Sequence, residues 1–382
     1  MLRRSRGMNN NKASPHIKRE PIARIVKRPD MSVRKTALLY LAAIFFAIAA
    51  GGVFILVLGH NPFTYYATVI SGSFRSKLST RALIRIIIPL LITSLGLTVS
   101  FRMKFWNIGA EGQFIFGAVC ASYVALFRSE GLPHFAVILL MGIAGFVGGG
   151  MFGLIAAFFK TKFGTSETLL TLMLNYVALY LVQYLMDGPW RDPTAGGFSK
   201  IAQFPEIAWI DQIAKVDVSW IVAVVLVAFL FVYFKYTKHG FEISVVGDSQ
   251  NTARYAGMNV NKIVLRTMFI SAGICGLAGM LQVAGDATTH TLSTGIASGV
   301  GFTAIIVAWL AKLNPFGIVT VSFMFGLLDK GCGVAESTFN LSGSVADILQ
   351  GIILFFILAF DFFIQYKLTF KRAEKTAGGA DK

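Results

Sequence analysis

Long apolar runs without a single charge constrain this chain more than any other feature. Thr36–Leu58, Phe135–Phe159 and Trp220–Phe234 are the clearest of them. Such runs are tolerated where lipid is the solvent, because a helix there satisfies its own backbone hydrogen bonds and ~20 residues cross the hydrocarbon core. Composition agrees: 55% of the 382 residues are hydrophobic, 14% are charged, and the mean hydropathy is +0.66. A soluble protein of this size needs more charge to cover its surface. The expected fold class is all-α, a polytopic integral membrane protein of about ten transmembrane helices, some short or broken.

The runs place spans at roughly 36–58, 83–101, 112–127, 135–158, 168–186, 219–234, 267–285, 302–312, 316–328 and 346–366. The eighth and ninth are the shortest, and Asn314-Pro315 separates them. They read either as a tight hairpin of tilted helices or as half-helices that do not cross completely. The net charge of +16 sits in the connections, so no nucleic-acid partner is expected. With the N-terminus inside, the inner face collects 26 of the 35 Lys and Arg and the outer face nine. That asymmetry follows the positive-inside rule and puts both termini in the cytoplasm.

Residues 1–35 carry eleven of the basic residues and no apolar periodicity. They read as a disordered cytoplasmic tail held near anionic lipid, with 36–366 as the transmembrane domain and 367–382 as a second cytoplasmic tail. The polar lead is too long for a signal-peptide n-region, so the first run is a retained anchor. Cys120, Cys275 and Cys332 are scattered and fit neither a metal site nor a disulfide framework.

Two connections are long. The outer one, 187–218, holds Trp190 and Trp209, which suit the headgroup layer, and a short interfacial helix is expected near 204–214. The inner one, 235–266, is polar and helix-capable. Asp248 or Ser249 can cap a helix through Gln250–Tyr255, ended by Gly257, and such a helix could dock a partner. Ser166–Val182 and Ser344–Phe360 both open on a serine and an acid before an apolar helix. This is the pattern of an internal repeat, although one such pair is equally compatible with coincidence.

Polar residues beside or within spans carry the functional signal. In the run Lys104 to Gln113, Gly109 and Gly112 break the helix while Asn107, Glu111 and Gln113 bring amides and a carboxylate to the break. Either these groups line a substrate pathway or its gate, or Glu111 is a solvated loop residue capping the next span. Asn175, mid-span with Thr171 one turn before it, either faces a cavity or hydrogen-bonds a neighbouring helix. The stretch Gly285–Thr303, with Asp286, Thr288 and His290, reads as an outer loop or re-entrant segment, and His290 has no second ligand at useful spacing. The run Gly145, Gly148, Gly149, Gly150 and Gly153 suits close helix contact. The sequence contains no G-x-x-x-x-G-K-[ST], no H-E-x-x-H, no G-x-S-x-G and no paired intramembrane acids. An enzyme or a proton-coupled carrier would show some such apparatus, so no cofactor or metal is expected and a partner should supply the energy.

Trp106 to Gln113, W-N-I-G-A-E-G-Q, resembles the F-N-I-G-A-E-G-Q motif of the nucleoside-type ABC importer permeases, a group related to the ribose and branched-chain amino acid permeases. Ser166–Tyr176 resembles that family's E-x-x-x-T-x-M-L-N-Y span. Gly247–Met258 is similar to its cytoplasmic loop before a helix with Ser271-Ala272-Gly273 and Gly276-Leu277-Ala278-Gly279. Gly301–Ile305 with Leu313-Asn314-Pro315 looks like its G-F-x-A-I-A…L-N-P segment. The similarity covers about 36–366, with Trp106 where Phe is usual.

The resemblance implies a multi-pass permease of a bacterial cell membrane carrying nucleosides. Ribose-like sugars or branched-chain amino acids are the alternative cargo, and a self-contained secondary carrier is the remaining reading. It also implies three partners: an ABC ATP-binding subunit, a second related permease and an extracellular lipid-anchored substrate-binding protein. Asn107, Glu111, Gln113 and Asn175 would lie on the substrate pathway. Gly247, Asp248, Ala253, Arg254, Tyr255, Ala256 and Gly257 would form the loop that contacts the ATPase.

Overall fold

The computed structural model describes residues 23–27, 32–213, 215–285 and 289–370. Most of the two expected tails, and Asp286 to Thr288 of the second polar stretch, lie outside the described residues. Thirteen helices follow one another in the described chain: α1 (Val33–Val57), α2 (Pro62–Phe74), α3 (Lys77–Arg102), α4 (Ala110–Phe127), α5 (His134–Phe163), α6 (Glu167–Asp187), α7 (Ser219–Tyr236), α8 (Lys238–Asp248), α9 (Gln250–Tyr255), α10 (Val260–Gly285), α11 (Val300–Leu310), α12 (Pro315–Phe339) and α13 (Ser344–Gln365). Among the described residues, eight of them (α3–α7, α10, α12 and α13) are long and apolar enough to cross a membrane, and the bent pair α1–α2 makes a ninth. The chain is a polytopic all-α membrane protein.

Two differences from the expected spans have local causes. Helix α2 lies where a loop was expected, because Pro62 opens it and the Asn61 side chain caps it by accepting from Phe63 N at 2.9 Å. The eighth span is as short as expected, the 11-residue α11. The ninth, expected to be short, is the 25-residue α12, which continues through Asp329 and Lys330. A charged pair inside a helix had been read as its end.

The chain divides into two compact units, 1–50 with 352–382 and 51–351. In the first, strands β1 (Ala23–Lys27) and β4 (Tyr366–Phe370) pair antiparallel, with Ala23 opposite Phe370. Phe46 stacks on Phe360 there, with ring centroids 5.8 Å apart. So part of the segment read as an unstructured tail is a strand.

The second unit is built around α10, which packs against α3, α4 and α5. The glycine run in α5 makes the close contact expected of it. A Cβ on Gly276 of α10 would lie 2.8 Å from the Gly149 Cα, and one on Gly149 would lie 2.6 Å from the Ala272 carbonyl oxygen. Gly117 of α4 meets Gly276 just as closely. Small residues let backbones approach where lipid supplies no hydrophobic drive for association.

The connection 188–218 closes one end of α10. Instead of the expected interfacial helix it holds a single 3-10 turn, Glu206–Ala208, and a short hairpin, β2 (Gln212–Ile213) with β3 (Val216–Asp217). Pro205 starts the turn, and Trp209 is already extended behind it. Trp209 stacks on His290 with ring centroids 4.2 Å apart, and Ile210 N–H donates to the Ala284 carbonyl at 3.1 Å.

Candidate functional site

The break between α3 and α4 is buried rather than solvated. Asn107 is fully buried, Gln113 and Asn175 nearly so, and Glu111 keeps 9% of its surface exposed. Helix α4 runs beside α10, with Gln113 reaching Gly153 of α5 where that glycine packs on Ala272, Gly117 against Gly276, and Phe114 and Ala118 against Gly279. Since Ala272 is midway along α10, α4 begins at mid-height of the bundle. Its N-terminus needs partners for free N–H groups there.

The expected pathway residues supply those partners. The Asn107 and Gln113 amides bond each other reciprocally at 3.0 and 2.9 Å, and Asn107 Oδ1 also accepts from Gly109 N at 3.1 Å. Asn175 reaches across from α6, accepting from Gly112 N at 2.8 Å and donating to the Ile108 carbonyl at 2.9 Å. Thr171 accepts from Ile108 N at 3.2 Å. Of the two readings left open for Asn175, the structure shows helix-to-backbone bonding.

Glu111 has a different task. Its two carboxylate oxygens accept from Gly299 N at 2.9 Å and Gly301 N at 2.6 Å. These amides are the head of α11, so the carboxylate caps a second helix that also begins in the interior, and it offsets the positive end of that helix dipole. The loop entering α11 is in the left-handed region at Ser298 and Gly299, with φ of 44° and 81°. Glu111 therefore holds the head of a half-helix entered through a strained turn. At the other end of α11, Trp309 stacks on Trp106, 5.2 Å between centroids, and Arg102 donates to the Leu313 carbonyl at 2.9 Å.

Directly over the head of α11 lies a cavity of about 440 Å³. Gly295 to Ser298 and Val300 form part of its lining, and Arg85, Asp217, Gln282, Ser293 and Asp329 bring polar groups to it. Arg85 Nε pairs with Asp217 Oδ2 at 3.3 Å, joining α3 to β3. Burial pushes the Asp217 carboxyl up from its ordinary range, and the Arg85 guanidinium draws it only part of the way back. Sequence reasoning missed this lining because Arg85, at the start of the span 83–101, was counted with the outer-face charges, and Asp329 fell just past the end of the span 316–328. Both lie inside helices, eight residues or more from the nearest helix end.

At the opposite end of the bundle, Ser249 caps α9 by accepting from Thr252 N at 3.2 Å, and Gly257 ends it with φ 76°. Ala253 is buried against the unit, while Asp248, Arg254, Ala256 and Gly257 are exposed and Tyr255 is 93% exposed. Gly247 packs on the end of α3, where a Cβ would lie 3.3 Å from the Met103 Cα. Arg266 of α10 pairs with Glu242 of α8 at 2.8 Å, which holds the Glu242 carboxyl below its usual range. The capped polar helix expected here exists, and α8 in front of it is tied to both α3 and α10.

The family described as "Branched-chain amino acid transport system / permease component" matches residues 79–358. The chain is 29% identical to a glucose ABC transporter permease of Haloferax volcanii over 335 residues, covering 84% of this chain and 87% of that one. It is 29% identical to a guanosine ABC transporter permease of Bacillus subtilis, covering 83% and 91%. It is 25% identical to a nucleoside ABC transporter permease of Lactococcus lactis, covering 91% and 97%. With two interior helix heads, a polar cavity over one of them and an exposed capped helix at the far end, the chain belongs to that permease family and is the membrane-spanning transport subunit of an ABC transporter, not an enzyme.

Proposed function

We propose that this permease imports nucleosides handed to it by an extracellular lipid-anchored binding protein, driven by a separate ABC ATP-binding subunit and completed by a second related permease. The observation that carries the reading is the polar cavity floored by the head of α11, which offers hydrogen-bonding groups of both kinds to a small uncharged solute. The permeases named for guanosine and for nucleosides support the cargo. The equally similar glucose permease favours a sugar as the second reading.

In this scheme the ATPase docks on Arg254 and Tyr255. Its movement passes from α9 through α8 to the ends of α3 and α10, and so to the break that positions Glu111. The cytoplasm lies on the side of α8 and α9. A cysteine in place of exposed Arg254 should then resist a membrane-impermeant maleimide in intact cells and react after permeabilisation; labelling from outside would reverse the orientation. For the cargo, initial-rate uptake of labelled guanosine by cells expressing the whole transporter is expected to fall with excess unlabelled nucleosides and to ignore glucose and ribose. Competition by the sugars alone would replace the nucleoside reading.

A further inference from the structure

The 440 Å³ cavity does not end at the α11 loop. A second, narrower pocket of about 70 Å³ adjoins it, lined by Thr303 of α11, Asp347 and Gln350 of α13, and again by Ser298 and Asp329. Asp329 thus stands where the two spaces meet. Its side chain is exposed, and among the described residues it makes no hydrogen bond or ion pair, in contrast to Asp217, which Arg85 holds. Gln282 of α10 and Ser293 also line the larger space, and among the described residues their side chains make no hydrogen bond.

The groups left vacant are therefore a carboxylate, a primary amide and a hydroxyl. Two acids, Asp329 and Asp347, face the narrow pocket with no basic side chain in its lining. That surplus of negative charge disfavours a phosphorylated solute and favours a neutral one rich in hydroxyl donors. A carboxylate has two oxygens and accepts only, so it matches adjacent hydroxyl groups that both donate.

We propose that Asp329 is a substrate-contacting residue of this permease, accepting from the 2′- and 3′-hydroxyls of a nucleoside's ribose, while Gln282 faces the heterocycle. This rests on the nucleoside reading above and adds to it the position of the sugar. It follows that the site sorts solutes by the vicinal diol. Nucleosides should pass, their 2′,3′-dideoxy analogues should pass poorly, and nucleoside monophosphates should not compete.

The test is uptake by the complete transporter, assembled from all its subunits, of a ribonucleoside and its 2′,3′-dideoxy analogue side by side. The unaltered protein is expected to prefer the ribonucleoside by about tenfold, the size of losing hydrogen bonds to a charged group. Asp329→Asn, nearly isosteric, should bring the ratio close to one by slowing the ribonucleoside. Asp329→Glu, which keeps the carboxylate, should retain a preference and covers the case in which the Asn variant fails to assemble. Wild-type uptake of nucleosides with a ratio unmoved by Asp329→Asn, or equal slowing of both solutes, overturns the assignment of Asp329 alone. Absence of nucleoside uptake by the wild-type transporter overturns the nucleoside reading and this inference together.

Discussion

Replacing Glu111 by Ala is expected to cut uptake at least about tenfold in a transporter that still assembles. The carboxylate accepts from two amides, Gly299 N and Gly301 N, at the head of α11. Without it, both N–H groups remain in a water-poor interior, and each unsatisfied buried group costs roughly 1–3 kcal/mol. Loss of the charge facing the helix dipole adds about 0.3–1 kcal/mol. That total is enough to let the strained turn at Ser298 and Gly299 relax, and this turn belongs to the cavity lining. Glu111→Gln keeps one acceptor but turns an amide NH₂ towards the second N–H, so it should recover only part of the rate. The measurement is initial-rate uptake normalised to the amount of intact complex. Full activity in Glu111→Ala would show that the capped helix head has no part in gating.

A larger structural effect is expected from Gly276→Leu. This glycine of α10 lies between Gly117 of α4 and Gly145 and Gly149 of α5, and what a Cβ meets there is backbone, including Gly149 Cα at 2.8 Å. Overpacking commonly costs 1–3 kcal/mol when side chains can give way. Backbone cannot, so the loss should exceed that range and take a large part of a net stability of about 5–15 kcal/mol. The detergent-solubilised chain should melt about 10 °C lower or fail to accumulate in the membrane. Gly333→Leu is the matched control, because nothing lies within 4 Å of its Cβ position. Equal melting of the two variants would remove the three-helix contact from the account of stability.

What could be read from the residues was whatever is local. Uninterrupted apolar runs placed most spans, and the Ser249 cap with the Gly257 stop placed α9 to the residue. The two glycines among polar groups at 107–113 marked a helix break, whose burial the residues alone left open. The distant partners of those groups were not legible. Gly299 and Gly301 are about 190 positions from Glu111, and no local pattern announces such a bond. Helix α2 was missed because its Thr, Tyr and Ser content dilutes the apolar signal. Arg85 and Asp329 were missed because a charge usually ends a span, whereas here both lie within helices and line an interior cavity.

The amides of Asn107, Gln113 and Asn175 are bound to one another or to the main chain, and none of the three lines the cavity. Those three side chains thus serve the scaffold, and the polar groups facing open space belong to the cavity above the α11 turn. Under the proposed function, altering what the transporter accepts means redesigning the cavity lining while the scaffold beneath stays as it is.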